Sequence, residues 1–172
     1  LSKAASGLID YFNSGEEFID LTVEKDGRAF TLFNEKEIIH LYDVKGLIRL
    51  DYGVLAMGFI YTLLVSGLMR YHREPRRLMP PMFWGGALTL AIVIAMAAMA
   101  TVDFNAFFTQ FHVISFANDF WLLDPATDYL IMLFPGEFWR DAVVIIGYGI
   151  GLIAVVTVFI SWRNLTGRRQ PS

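Results

Sequence analysis

Two histidines, His40 and His112, are the residues in this chain best suited to chemistry. His40 has Glu37 and Asp43 three residues to either side, which puts both carboxylates on its face if the segment is helical. His112 is followed by Asn118, Asp119, Asp124 and Asp128, inside FNAFFTQFHVISFANDFWLLDPATDYLIMLFPGEFWRD at 104–141. Histidine can take or give a proton at neutral pH, so this constellation reads as general acid–base machinery. The plainer alternative is that each histidine is an interfacial or capping residue. Likewise Glu37, Asp43, Asn118, Asp124 and Asp128 can cap turns as readily as they orient a ring. The stretch around His112 is too polar at intervals to span a membrane and too aromatic for an ordinary loop. Phe104, Phe107, Phe108, Phe111, Ile114, Phe116 and Phe120 suit one face of a helix, with Trp121, Tyr129 and Trp139 as amphipathic anchors. The segment is therefore predicted to lie at the membrane–water boundary, the depth of lipid ester bonds.

Composition requires the membrane. Of 172 residues, 55% are hydrophobic and 18% charged, with a mean hydropathy of +0.48, too apolar for a soluble domain of this size. A net charge of −3, without a basic stripe interleaved with aromatics, argues against a nucleic-acid partner. Cysteine is absent, which excludes disulfides, thiolate metal sites and a cysteine nucleophile.

The elements that must position the histidines follow in order. SGLIDYFNSGEEF predicts a short amphipathic helix burying Leu8, Ile9, Tyr11 and Phe12 and stopping at Asn13 to Gly15. From Phe18 to Phe33 the pattern alternates, with Leu21 and Val23, then Ala29, Thr31 and Phe33, flanking Lys25-Asp26-Gly27-Arg28. Its Asp-Gly pair is a hairpin signal. Two strands alone are marginal, so this hairpin must lean on the bilayer surface or on the loop around His112. Asn34-Glu35-Lys36-Glu37 fits a capping box that opens a helix through His40. Residues 1–49 thus form a cap with a hairpin and a helix leading into the membrane, and residues 50–172 a membrane domain that includes the loop at 103–141. Spans are predicted at about 50–70, 82–102 and 142–162, each near the ~20 residues that cross a bilayer core. Arg70, Arg73, Arg76 and Arg77 lie between the first two spans, and Arg163, Arg168 and Arg169 after the third. The loop at 103–141 has Arg140 alone against six acids. The positive-inside rule then puts the arginines in the cytoplasm and the cap, the loop and both histidines on the extracellular face. If the connections are helical, each histidine lies within roughly 15 Å of the core boundary. Gly85, Gly86, Ala97, Ala98, Gly147, Gly149 and Gly151 read as helix-packing positions.

LFNEKEIIHLYDVKGL, followed by FHVISFANDFWLLDPATDYLIMLFP, resembles the bacterial lipoprotein intramolecular transacylase family. The likeness covers most of the chain, including the order of cap, span, basic loop, span, aromatic loop and span. It implies an α-helical polytopic membrane protein with a small extracellular α+β cap, and a fourth, N-terminal membrane helix that this sequence lacks. It also implies a reaction. The sn-2 acyl chain of a diacylglyceryl-cysteine moves to that cysteine's own α-amino group, giving a lyso-form lipoprotein. His40 and His112 would be the base and its partner, with Glu37, Asp43, Asn118, Asp124 and Asp128 supporting them. Phe111, Trp121 and Lys45 would meet the substrate, Lys45 at lipid phosphates or carbonyls. No metal or cofactor is expected, and the protein is expected to act as a monomer in the bacterial cell membrane, with membrane lipids and a diacylated lipoprotein as partners. The rival classes are a membrane lipid or ester hydrolase, with His40, His112 and Asp124 or Asp128 holding zinc or Ser115 as nucleophile, and a non-catalytic membrane partner-binding module. A haem protein with two axial histidines is more remote.

Overall fold

A computed structural model describes residues 2–25 and 27–167. Asp26 of the expected turn, and Arg168 and Arg169, lie outside the described residues. The elements are α1 (Ser2–Asn13), β1 (Thr22–Lys25), β2 (Arg28–Thr31), α2 (Glu35–Tyr71), a 3-10 turn (Pro75–Leu78), α3 (Met79–Val102), α4 (Phe104–Ser115), α5 (Tyr129–Leu133) and α6 (Gly136–Thr166). Three helical stretches, Glu35–Tyr71, Pro75–Val102 and Gly136–Thr166, are long and apolar enough to cross a membrane, so the chain is a multi-pass membrane protein. In the first, the charged residues Glu35, Lys36, Glu37, Asp43, Lys45, Arg49 and Asp51 precede the apolar run, which therefore begins at Tyr52.

The chain forms two compact units. The membrane unit comprises Leu55–Phe107 and the segment from Arg140 onward. Most of its large apolar side chains point outward, as a lipid-facing surface requires, among them Leu64, Leu88 and Ile153. Its helices are punctuated by their ends. Arg73 takes the left-handed conformation (φ 58°), and the Arg73 and Glu74 amides return to the Arg70 and Met69 carbonyls, closing α2 as a Schellman motif. Pro80 and Pro81 then sit in the first turn of α3, where a missing N–H costs nothing. Of the predicted packing glycines, Gly86 is the tight one. A Cβ there would fall 2.9 Å from Val158 Cγ2, whereas Gly85, Gly147 and Gly149 face open space.

The cap unit comprises residues up to Val54 together with Phe108–Trp139. The sequence-based division grouped 103–141 with the spans. In the structure most of that loop compacts with the cap instead, because hydrogen bonds and a shared core tie it there. The core is Ala4, Leu8, Tyr11, Ile19, Leu32, Phe33 and Leu41, with Leu130, Leu133 and Phe134 of the loop packed against it. Ala4, Leu8 and Tyr11 form the inward stripe of α1 at helical spacing. Ile9, expected inside, lies ~100° round the helix from Leu8 and is exposed. In the hairpin, Gly27 (φ 75°) makes a tight turn that pairs Val23 with Phe30. Phe30 and Leu32 therefore face the core on the same side as Val23, while Ala29 and Thr31 alternate outward. Phe30 lies against Tyr129 (ring centroids 5.8 Å), so the hairpin leans on α5.

The capping box forms reciprocally: Glu37 N–H donates to Asn34 Oδ1 at 3.0 Å, and Asn34 N–H to Glu37 Oε2 at 2.8 Å. Both residues also reach the loop. Glu37, fully buried, accepts from the Leu130 N–H through Oε1 at 2.6 Å, and Asn34 Nδ2 donates to Asp128 Oδ1 at 2.9 Å. Asp128 Oδ2 takes the Asp124 N–H at 2.7 Å, a bond that holds the Asp128 carboxyl below its usual range. These bonds join two segments far apart in sequence. Asn34→Asp sets two carboxylates against each other and is expected to lower the melting temperature in detergent. Asp128→Asn added to it restores a donor–acceptor pair with its polarity reversed. A double-mutant cycle by thermal unfolding should give a coupling of about 1–3 kcal/mol. Additive losses would mean that the two side chains do not act on each other.

Candidate active site

Helical spacing brings the site together. Phe108, His112 and Phe116 recur every four residues, so their rings share a stripe even though α4 stops at Ser115 and Phe116 follows it. His40 is presented by the first turns of α2. The two imidazoles lie side by side, ring centroids 5.9 Å apart, and each is 7% exposed. Phe116 stands edge-on to His40 at 5.1 Å and lies 5.5 Å from His112. Around His112 are also Phe108 at 4.3 Å, Phe111 at 5.3 Å and Trp121 at 5.0 Å. The result is two nitrogen heterocycles walled by aromatic rings, a setting that strips water from the charged form of either.

Electrostatics follow from that wall. Burial first, and the neighbouring His112 second, lower the His40 pKa to about 4, while Asp43 pulls the other way. Burial also lowers His112, against a backbone hydrogen bond that raises it. Both rings are therefore neutral at neutral pH. The His112 bond runs from Nδ1 to the Phe108 carbonyl oxygen at 2.7 Å. A carbonyl can only accept, so Nδ1 carries the proton, and the lone pair of the neutral ring is on Nε2. His40 Nδ1 is buried without a hydrogen-bond partner. A buried, unmet imidazole nitrogen is costly in a finished interior and useful in a site that must receive something.

Among the sequence-predicted residues, His40, His112, Phe111 and Trp121 come together. Glu37, Asp43, Asn118, Asp124 and Asp128 do not hydrogen-bond the rings; they tie the loop down on either side of His40. Glu37 and Asp128 belong to the fastening at the start of α2, and Asp124 turns the chain into it. One turn beyond His40, Asn118 Nδ2 donates to Asp43 Oδ2 at 2.8 Å. Lys36 Nζ also hydrogen-bonds the Leu122 carbonyl. The loop bearing Phe116 and Trp121 is thus anchored at both ends of the His40 segment. Lys45, expected at the substrate, is a correction. It is buried, its Nζ donates to Ser14 Oγ (3.2 Å) and the Glu16 carbonyl (2.8 Å), and it lies 3.9 Å from the Tyr11 ring centre. Five residues beyond His40, it points round the helix into the cap and fastens the end of α1. Phe108 and Phe116 were not singled out as site residues, although their four-residue spacing about His112 carried the signal.

Chemically, the site offers two neutral bases, one with its tautomer fixed, in an apolar wall at the edge of an aromatic loop. Among the described residues no three histidine, aspartate or glutamate side chains converge as a metal-binding group.

A model of the family described as lipoprotein intramolecular transacylase Lit matches residues 1–139. An uncharacterized protein from Aquifex aeolicus (strain VF5) is 23% identical over 157 residues, covering 89% of this chain and 67% of that protein. Among solved structures, the in meso structure of the membrane integral lipoprotein intramolecular transacylase Lit from Bacillus cereus aligns with a TM-score of 0.76 at 21% identity. It covers 98% of this chain and 74% of that one, a likeness of fold. With the family's model matched over most of its length, and the same membrane fold in a solved member, this chain belongs to the lipoprotein intramolecular transacylase family.

Proposed function

We propose that the protein moves the sn-2 acyl chain of a diacylglyceryl-cysteine, at the N-terminus of a bacterial lipoprotein, onto that cysteine's α-amino group. The observation that carries this reading is the buried His40–His112 pair, with His112 Nδ1 fixed on Phe108 and His40 Nδ1 unmet. An ammonium cannot attack an ester, and a free α-amino group has a pKa of about 8, so a neutral base is required. His112 Nε2 takes a proton from the α-amino group, whose nitrogen forms a bond to the ester carbonyl carbon. The tetrahedral intermediate then collapses, the bond to the sn-2 oxygen breaks, and that oxygen receives a proton through His40 or back from His112. One N–C bond is made and one C–O bond is broken, and no atom is lost. Because donor and acceptor belong to one substrate, no protein nucleophile is needed, and holding them together can supply roughly 7–11 kcal/mol of the barrier. The arginines between α2 and α3 support a cytoplasmic location for that turn, and hence an extracellular face for the cap.

The reaction leaves mass unchanged, so fragmentation decides it. Purified full-length protein incubated with a defined diacylglyceryl-lipopeptide should give an N-acyl fragment ion. His40→Ala and His112→Ala should each lower its rate by at least about 100-fold. Loss of one acyl chain would instead mark a hydrolase, and untouched substrate a partner-binding module.

The pH dependence has a defined sign. Both histidines hold protons more weakly than a free imidazole, whose pKa is 6.5. The neutral pair therefore persists into mild acid. The substrate amine must be neutral to attack, so kcat/KM is expected to level off above about 8 and to fall below it as the ammonium forms. A second, steeper fall is expected only below 6.5, where the histidines take protons. The same shifts link to folding. Between 6.5 and the folded-state values the unfolded chain binds more protons, so stability present above 6.5 is lost as pH falls. A second acid titration above 6.5, in addition to that of the substrate amine, would exclude the buried pair as the base.

A further inference from the structure

Attack on an ester carbonyl puts negative charge on its oxygen, and an apolar pocket needs a hydrogen-bond donor aimed at that oxygen. His112 is a poor candidate for the first step, because its N–H is spent on the Phe108 carbonyl and its free nitrogen must accept a proton before it can give one. His40 is taken up in the reading above with returning a proton to the leaving oxygen. Several side-chain donors of the surrounding segments are committed: Asn118 Nδ2 to Asp43, Asn34 Nδ2 to Asp128, Lys36 Nζ to the Leu122 carbonyl and Thr127 Oγ1 to Asp128. The two tryptophans of the loop differ in this respect. Trp139 spends its Nε1–H on the Phe134 carbonyl at 3.1 Å. The Trp121 Nε1–H has no partner among the described residues, while its ring lies 5.0 Å from His112 with the planes inclined by 35°.

We propose that the indole N–H of Trp121 is the oxyanion donor of the acyl transfer, a catalytic role beyond anchoring at the membrane surface. The inference rests on the acyl-transfer reading given above and adds to it the group that stabilises the tetrahedral intermediate. Three features carry it. Indole is a donor only and stays neutral, so it can serve in an apolar wall where a cation would be expensive to hold. Trp121 is half-buried, with its ring beside His112 and part of its surface exposed. Its loop is fastened on either side, by Asn118 to Asp43 and by Asp124 and Asp128 to the start of α2, so the donor is held in place before charge develops.

Trp121→Phe keeps an aromatic ring on His112 and removes only the donor. With the full chain in detergent and the defined lipopeptide, kcat for N-acylation is expected to drop about 100-fold, with KM within about 2-fold and the acid limb unmoved. Two unreactive ligands give an independent readout. A phosphonate at the sn-2 acyl position mimics the oxyanion and should bind the variant at least about 10-fold more weakly. A diether analogue, which has no carbonyl, should bind both proteins alike, which also shows the variant folded. An unchanged kcat overturns the proposal, as does an equal loss of affinity for both analogues, which would make Trp121 a packing residue. If the unsubstituted protein forms no N-acyl product, the acyl-transfer reading fails and this inference with it. If it does, and Trp121→Phe matches it, only this inference falls.

Discussion

The cap depends on one buried carboxylate. Glu37 has no exposed surface and no cationic partner; its two oxygens are satisfied by backbone amides, Asn34 N–H at the start of α2 and Leu130 N–H in α5. Such an arrangement is tolerable because each oxygen meets a donor, and because helix N-termini present unpaired amides and positive partial charge where an anion is favoured. It also does what apolar packing here could not. The cap's core is a handful of side chains from one short helix, a hairpin and part of α2, too few to fix a long loop by burial alone. Directional bonds to a carboxylate specify one register for the loop, and the register decides which rings stand over His40.

From that constraint the chemistry of the pair follows. The loop is pinned one turn before His40, through Glu37 and Asn34, and one turn after it, through Asp43. Between the pins, Phe116 and Trp121 close over the imidazoles. A carboxylate in direct contact with either ring would have raised its pKa and favoured the imidazolium, as in sites that need a strong, charged acid. Here the acids are used as loop fastenings and the rings meet aromatics and each other, which keeps both neutral. A neutral imidazole with a fixed tautomer is the form that can accept a proton from an amine at physiological pH.

Much of this was legible in the residues. The capping box at Asn34 to Glu37, the Gly27 turn and the apolar runs are local codes, and each formed where its spacing said. The histidines were visible because few other side chains in so apolar a chain can titrate near neutrality. The partners of the acids were not visible. Glu37 and Asp43 sit three residues from His40, and spacing alone suggested that they orient it, yet each turns to a backbone or side-chain donor far along the chain. Nothing in one sequence encodes which long-range acceptor a donor will find. Ile9 failed for a related reason: in a short helix the edge of the apolar stripe is set by tertiary contacts. Lys45 failed because a helix puts a residue five positions on from His40 round its other side.

The division of labour between polar and apolar edges also bears on how a two-tailed substrate could be handled. The side of the cap site toward Glu37, Asn34 and Asp128 is closed by hydrogen bonds, and opening it would leave several buried polar groups unmet. Phe111, Ile114 and Leu122, by contrast, are large apolar residues that the cap leaves exposed. Acyl chains gain by covering such surface, at about 25 cal/mol per Å2, whereas polar substrate groups gain nothing there. Under the proposed reaction, this asymmetry lets the chains come to rest on the aromatic edge while the glyceryl ester and α-amino group lie over the histidines. Specificity for a lipidated terminus over a soluble ester then comes from burial of the chains, and rate comes from the intramolecular placement of amine and ester. The protein needs only to hold a base and a donor still beside them.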